Sequence, residues 1–283
     1  MTRPRIGVAL GGGSARGWAH IGVLEALADL GLAPDVVAGT SIGALVGAAY
    51  VTDRLRELRV WAEAVTWRNV ATLLDLRLTR GGLIDGARIE TLLADRGIAC
   101  DIERSPMPFA AVAADIESGA EVWLRSGPIQ RAVRASIGLP GIFKPVQVDG
   151  QWLLDGGLVN PVPVSTCRAL GADVVIAIDI NSSRLWPTEA APGPPTPWHS
   201  VMGRLLLARS RGPASFVTMA KAVTIMQVQI TKARLVHEPA DVVLVPNLGN
   251  VGPFQFDRAR AAIAAGRAAV ERSREALAAL QVA

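Results

Sequence analysis

Lysine is scarce in this sequence. Only Lys144, Lys221 and Lys232 occur among 283 residues, so the net charge of +4 and the sequence pI near 9.7 rest on arginine. That charge is scattered along the chain rather than gathered into the patch or stripe that nucleic-acid binders carry, which sets nucleic acid aside as a partner. A mild basic surplus stays compatible with peripheral contact at an anionic membrane surface. Cysteine is scarcer still. Cys100 and Cys167 form no CxxC pair, and with only His20, His199 and His237 the chain lacks a zinc-like ligand cluster, so no metal is expected. Both thiols read as reduced core residues of a cytoplasmic protein, in which any membrane contact would be at the inner surface. Long hydrophobic runs are missing as well. The first apolar stretch holds about five residues before glycines interrupt it, too few for the hydrophobic region of a signal peptide. Val36 to Val51 is the most membrane-like segment, but it falls short of the ~18 residues a span requires and contains Thr40 and Ser41, so it is expected as buried core.

What is present suits a large folded core, with 50% hydrophobic and 19% charged residues. Strand-like runs recur at Ile6 to Leu10, Asp35 to Ala38, Phe109 to Ala114, Glu121 to Leu124, Val174 to Ile180 and Val242 to Val245. Helical patterns alternate with them at Trp18 to Leu30, Ile42 to Val51, Arg54 to Val65, Ala87 to Ala94, Ile129 to Ala135 and Val164 to Leu170. This alternation predicts an α/β fold of three layers: a mainly parallel central sheet with helices on both faces. One domain is expected over residues 1–283, broken by an irregular Pro-rich loop at 184–200 and closed by C-terminal helices at 214–235 and 256–281. The last of these reads as a solvated outer layer.

Three short motifs carry chemistry. Gly11, Gly12 and Gly13 follow the first strand and lead through Ser14-Ala15-Arg16-Gly17 into a helix, a setting in which backbone N–H groups collect negative charge. A P-loop would end in Gly-Lys-Ser/Thr, and a dinucleotide site would want an acidic residue closing the second strand; neither is found. The second strand closes instead with Gly39-Thr-Ser41-Ile-Gly43, the GxSxG pattern of a nucleophile elbow, in which Ser41 occupies a tight strand-to-helix turn. The alternative reading is a small-residue packing turn. A serine nucleophile needs a base, and none of the three histidines follows a late strand end as a hydrolase triad would have it. The other candidate is Asp155, which ends a short apolar strand ahead of Gly156-Gly157, although a carboxylate is a weak base unless a desolvated site strengthens it.

Taken in order, the Gly-rich loop with Arg16-Gly17, the GxSxG turn and Asp155-Gly156-Gly157 resemble the patatin-like phospholipase family. The resemblance covers about Ile6 to Asn181, including Arg134 to Val146, and the chain as a whole is similar to small bacterial members, whose catalytic domain is like that of neuropathy target esterase. It implies a lipid acyl hydrolase that needs no cofactor, in which Ser41 is the nucleophile and Asp155 the general base. It also implies an oxyanion hole built from the N–H groups of Gly11, Gly12, Gly13 and Ile42. Arg16 and Gly17 would support the loop, Gly39 and Gly43 the elbow, and Gly156 and Gly157 the aspartate turn. Many family members have glycine where this chain has Ser14, which leaves the Ser14 N–H outside the expected donors. The implied substrate is a lipid ester or phospholipid, with Trp18, Ile42, Leu139, Ile142, Phe143 and Trp152 as candidates for an acyl groove. A small-ester or thioester hydrolase and a non-catalytic lipid- or partner-binding scaffold are the competing readings.

Overall fold

The computed structural model describes residues 3–66, 86–182 and 215–280; the Pro-rich segment 184–200 lies outside them. Eight strands form one sheet: β1 (Ile6–Leu10), β2 (Val36–Thr40), β3 (Phe109–Asp115), β4 (Glu121–Leu124), β5 (Val146–Val148), β6 (Gln151–Asp155), β7 (Val174–Ile178) and β8 (Val242–Leu244). Their order is β5-β6-β3-β2-β1-β7-β8, with β4 also paired to β3. Pairing is parallel from β3 through β2, β1 and β7 to β8, and antiparallel among β3, β4, β5 and β6. The sheet is therefore mixed, as a mainly parallel α/β expectation allows. The three-residue β5 is too short for its alternation to be read from sequence.

Alternation along the strands sorts large side chains from small ones. In β1, Ile6, Val8 and Leu10 point to one face and Gly7 and Ala9 to the other; Ile176 and Ile178 of β7 share the first face, Val175 and Ala177 the second. The large-residue face is covered by α1 (Ala19–Asp29), α2 (Ile42–Val51), α3 (Leu55–Ala64), α4 (Ala87–Asp95), α5 (Ile129–Ser136), α8 (Ala259–Arg272) and α9 (Arg274–Ala279), all of which contribute to one continuous core. The small-residue face carries a much smaller cluster under α6 (Val164–Ala169), with α7 (Ser215–His237) beside it.

The expected helix from Phe256 to Gln281 is broken into a 3-10 turn at Phe256–Arg258, then α8 and α9, which part at Ser273. Nor is it a solvated layer throughout. Ala259, Ala262, Ile263, Gly266, Ala269 and Val270 are buried, and α8 packs on α1 so closely that a Cβ on Gly266 would lie 2.0 Å from the Ala19 carbonyl oxygen. Its Arg and Glu residues line only the outer side.

Register decides what lies near the strand ends. Val112 of β3 pairs with both Trp123 of β4 and Thr40 of β2, while the next residue, Ala113, pairs with Val122 of β4 and Asp155 of β6. A strand has two edges, so β2 and β6 must meet end to end along the edge of β3 that β4 leaves open. The residue that follows Thr40 is Ser41.

Candidate active site

Ser41 takes the tight turn that the sequence pattern predicts. Its backbone is held at φ 56°, ψ −124°, outside the ordinary regions for a side chain that bears a Cβ, and α2 starts at the next residue. The turn closes because Gly39 and Gly43 lack side chains: a Cβ on Gly43 would sit 2.1 Å from the Leu10 carbonyl oxygen, and one on Gly39 2.5 Å from the Ala44 nitrogen. The Ser41 N–H is anchored on the Ser136 hydroxyl at 2.8 Å, and that hydroxyl donates to the Val112 carbonyl at 2.6 Å. Ser136 was not picked out in the sequence. It lies 95 residues from Ser41, inside the Arg134–Val146 segment but in neither glycine signature, and only the packing of α5 beside β3 brings it there.

The Ser41 hydroxyl donates to Asp155 Oδ2 at 2.7 Å across 114 residues of sequence. The other carboxylate oxygen, Oδ1, accepts the Gly157 N–H at 2.8 Å at the start of the 3-10 turn Gly156–Leu158, and the Asp155 N–H donates to Gly138. Asp155 is only 2% exposed. Burial pushes its carboxyl up to about 6, against the opposing pull of the hydrogen bonds from Ser41 and Gly157. A carboxylate with that affinity for protons is a far better base than an aspartate in water.

The glycine loop lies across from the turn, where a Cβ on Gly12 would touch that of Ser41 at 3.4 Å. Its hydrogen bonding departs from the expected oxyanion hole. The Gly11 N–H donates to the Ile178 carbonyl and the Gly12 N–H to the Pro161 carbonyl, so both are engaged with backbone. The N–H groups of Gly13, Ser14 and Ile42 make no hydrogen bond to the described residues. Ser14 holds φ 53°, the left-handed conformation that glycine takes more readily, so the loop keeps a glycine-like path despite the substitution.

The loop's carbonyls are held by buried side chains. His20 is fully buried and lies with Nε2 2.7 Å from the Gly11 carbonyl oxygen; burial lowers it to about 4, so the ring is neutral and Nε2–H is the donor. Asn181 Nδ2 donates to the Gly12 carbonyl at 2.8 Å and to Gln227 Oε1 at 3.1 Å, while its Oδ1 accepts from Arg16 Nη1 at 2.9 Å. Arg16 therefore meets the loop through Asn181, from inside. Asn181 and Gln227 escaped sequence reading because their meeting depends on β7 and α7 arriving at one point.

A cleft opens at this juncture, lined among the described residues by Gly13, Ser14, Ser41, Leu139 and Asp155 together with Val223, Thr224 and Gln227 of α7. Of the expected groove residues, Leu139 lines it. Trp18 does not; it is packed edge-on against Trp61 and Phe256 in the core. Trp152 is exposed on the sheet. His237 is the last residue of α7, and His199 lies outside the described residues. No group of three or more His, Cys, Asp or Glu able to hold a metal occurs among the described residues.

A family model for patatin-like phospholipase matches residues 8–168, more than half the chain. The chain belongs to the patatin-like phospholipase family. An uncharacterized NTE family protein of Mycobacterium tuberculosis is 39% identical over 204 residues, covering 72% of this chain and 57% of that protein. The patatin-like phospholipase domain-containing protein 7 of Rattus norvegicus is 38% identical over 189 residues, 64% of this chain and 14% of that protein. The family segment thus spans a little over half of the first relative and a small part of the second. The solved structure of VipD from Legionella pneumophila covers 98% of this chain and is itself covered to 67%, at 14% identity and a TM-score of 0.49.

Proposed function

We propose that this patatin-like protein is a serine acyl hydrolase that cleaves carboxylic esters of lipids, of the phospholipase A or lysophospholipase type, by a Ser-Asp dyad. The observation that carries this reading is the 2.7 Å hydrogen bond from the Ser41 hydroxyl to a buried carboxylate on a strained strand-to-helix turn. Ser41 attacks the ester carbonyl while Asp155 takes its proton; the proton then passes to the departing alcohol, a lysolipid or glycerol fragment. Water, deprotonated by the same carboxylate, releases the fatty acid and restores Ser41. The Gly13, Ser14 and Ile42 N–H groups are the donors left for the oxyanion, each such donor being worth ~3–4 kcal/mol to the transition state. Gly11 and Gly12 contribute through the space they leave and the carbonyls through which the loop is braced.

A small-ester hydrolase would use the same dyad, and the apolar flank formed by Leu139, Val223 and Phe254 favours an acyl chain over a compact acid. The test is labelling by a fluorophosphonate probe together with release of p-nitrophenol from short- and long-chain esters. Wild type should label and prefer long chains, and Ser41→Ala and Asp155→Asn should each lower turnover by ~10⁴-fold. Turnover should also fall about tenfold per pH unit below pH ~6, where Asp155 takes up its proton. A folded wild type that neither labels nor turns over would leave the binding-scaffold reading in its place.

A further inference from the structure

The lightly covered face of the sheet has its apolar side chains on the wrong side for water. By register, Trp123 faces the same way as Val112, Ala114 the same way as Leu154, and Val243 the same way as Ala177, so β4, β6 and β8 all present this face. Trp123, Trp152 and Val243 there are 37%, 46% and 39% exposed, and Ile116, which continues the pairing through its N–H to Trp152, is exposed too. Among the described residues Val60 is the large exposed apolar side chain of the opposite layer.

The helix beside this face exposes apolar residues that a surface helix would turn inward. Val228, Gln227 and Thr231 of α7 are buried, Leu235 packs on the small core cluster, and Arg234 reaches inward to Glu121 and Ser165. Ala222, Ile225, Met226, Ala233 and Val236 are exposed instead. Ile225, Gln229, Lys232 and Val236 fall at i, i+4, i+7 and i+11, one stripe on the outside of the helix. A surface helix in water keeps its outer side polar. Its charge is one-sided as well: Ser215–His237 has no Asp or Glu, and holds two of the three lysines of the chain, Lys221 and Lys232, both exposed. The same helix lines the cleft with Val223, Thr224 and Gln227.

We propose that this face, led by the outer stripe of α7, docks on the surface of an anionic lipid bilayer. An outer helix side that mixes Ile225, Met226 and Val236 with Lys221 and Lys232, on a helix that holds no carboxylate, matches an interface with acyl chains beneath and negative head groups around it. Tryptophans that sit at the rim suit the same boundary. No described helix is long and apolar enough to cross a membrane. The purpose of this docking rests on the lipid-ester reading, since it would bring the cleft to its substrate, but its test does not.

The experiment is co-sedimentation of the full chain with vesicles of phosphatidylcholine alone and with added phosphatidylglycerol, alongside hydrolysis of a soluble short-chain ester and analytical ultracentrifugation. Wild type and Ser41→Ala should bind the anionic vesicles alike and the neutral ones less. Ile225→Asp with Val236→Asp should weaken binding about tenfold or more while soluble-ester turnover is kept. Lys221→Gln and Lys232→Gln should each weaken it by about fivefold. Equal binding by wild type and the double aspartate variant, or none by wild type, would overturn the proposal. A wild-type dimer that the aspartates dissociate, with no vesicle binding, would assign the face to a second copy of the chain and overturn it too. Loss of ester turnover in Ser41→Ala bears only on the dyad.

Discussion

The two faces of the sheet are built to different ends. Among the described residues, on one face Ile6, Val8, Leu10, Ile176 and Ile178 meet seven helices in a single continuous core; on the other, Gly7, Ala9, Ala38 and Ala177 lie under one short helix and one long helix that exposes apolar residues. The apolar area removed from water is concentrated on the first face, and with it most of the stability. Strain, a buried carboxylate and exposed apolar groups gather at the border with the second. The difference teaches that this fold keeps its costly features away from the layer that offsets them.

The comparison can be broken by placing an oversized or misplaced group on each face. Gly266→Val drives a side chain into the backbone of α1, where even a Cβ would lie 2.0 Å from a carbonyl oxygen, and should destabilise by about 3 kcal/mol or more as overpacking does. Ile225→Asp on the outer stripe of α7 should change stability by no more than about 0.5 kcal/mol. Denaturant midpoints measured side by side would decide; similar losses would mean that the second face bears as much of the fold as the first.

A sharper version concerns charge. The Asp155 carboxyl is raised to about 6 in the folded state, above its value in an unfolded chain, so the folded state binds the extra proton and gains relative stability as pH falls from about 6 toward 4. His20, lowered to about 4 by burial, acts in the opposite sense: stability present above pH ~6.5 is lost as the unfolded histidine takes a proton that the folded one refuses. The two offset each other over this window. Asp155→Asn should therefore raise stability at pH 7.5 by about 2–3 kcal/mol and steepen the fall in acid, because the histidine effect is then uncompensated. Thermal melts of both proteins between pH 4 and 8 check this; parallel profiles would refute it.

The smallest effect on turnover is expected at Asn181. Asn181→Ala removes the donor to the Gly12 carbonyl and the acceptor of Arg16, loosening the glycine loop without touching Ser41 or Asp155, and should lower kcat by roughly tenfold with KM little changed. Asn181→Asp keeps the acceptor for Arg16 and loses the donor, so it separates the two contributions.

Much of this was legible in the sequence, for identifiable reasons. Ile42–Val51 and Glu121–Leu124 begin and end where their patterns do, because glycine and turn residues bound them. Ser41 and Asp155 stood out because each sits in a short glycine-rich signature that tight backbone geometry demands. Ser136, Asn181 and Gln227 carry no such mark; their polar atoms matter only because three separate elements converge. The engaged N–H groups of Gly11 and Gly12 were hidden for the same reason, since their partners at Ile178 and Pro161 come from far along the chain. The break at Ser273 was missed because an alanine-rich pattern runs through it without a Gly or Pro to stop it.

Ala113 and Val112, adjacent on β3, fix where the ends of β2 and β6 meet. The Ser41–Asp155 spacing is thus a property of strand register in the middle of the sheet. Pulling Ser41 from Asp155 requires unzipping a central strand, so amide hydrogen exchange on β3 should be among the slowest in the protein, and activity on heating should persist until the whole sheet melts. In such a molecule the Ser41–Asp155 distance and the cooperative unit of folding are one and the same.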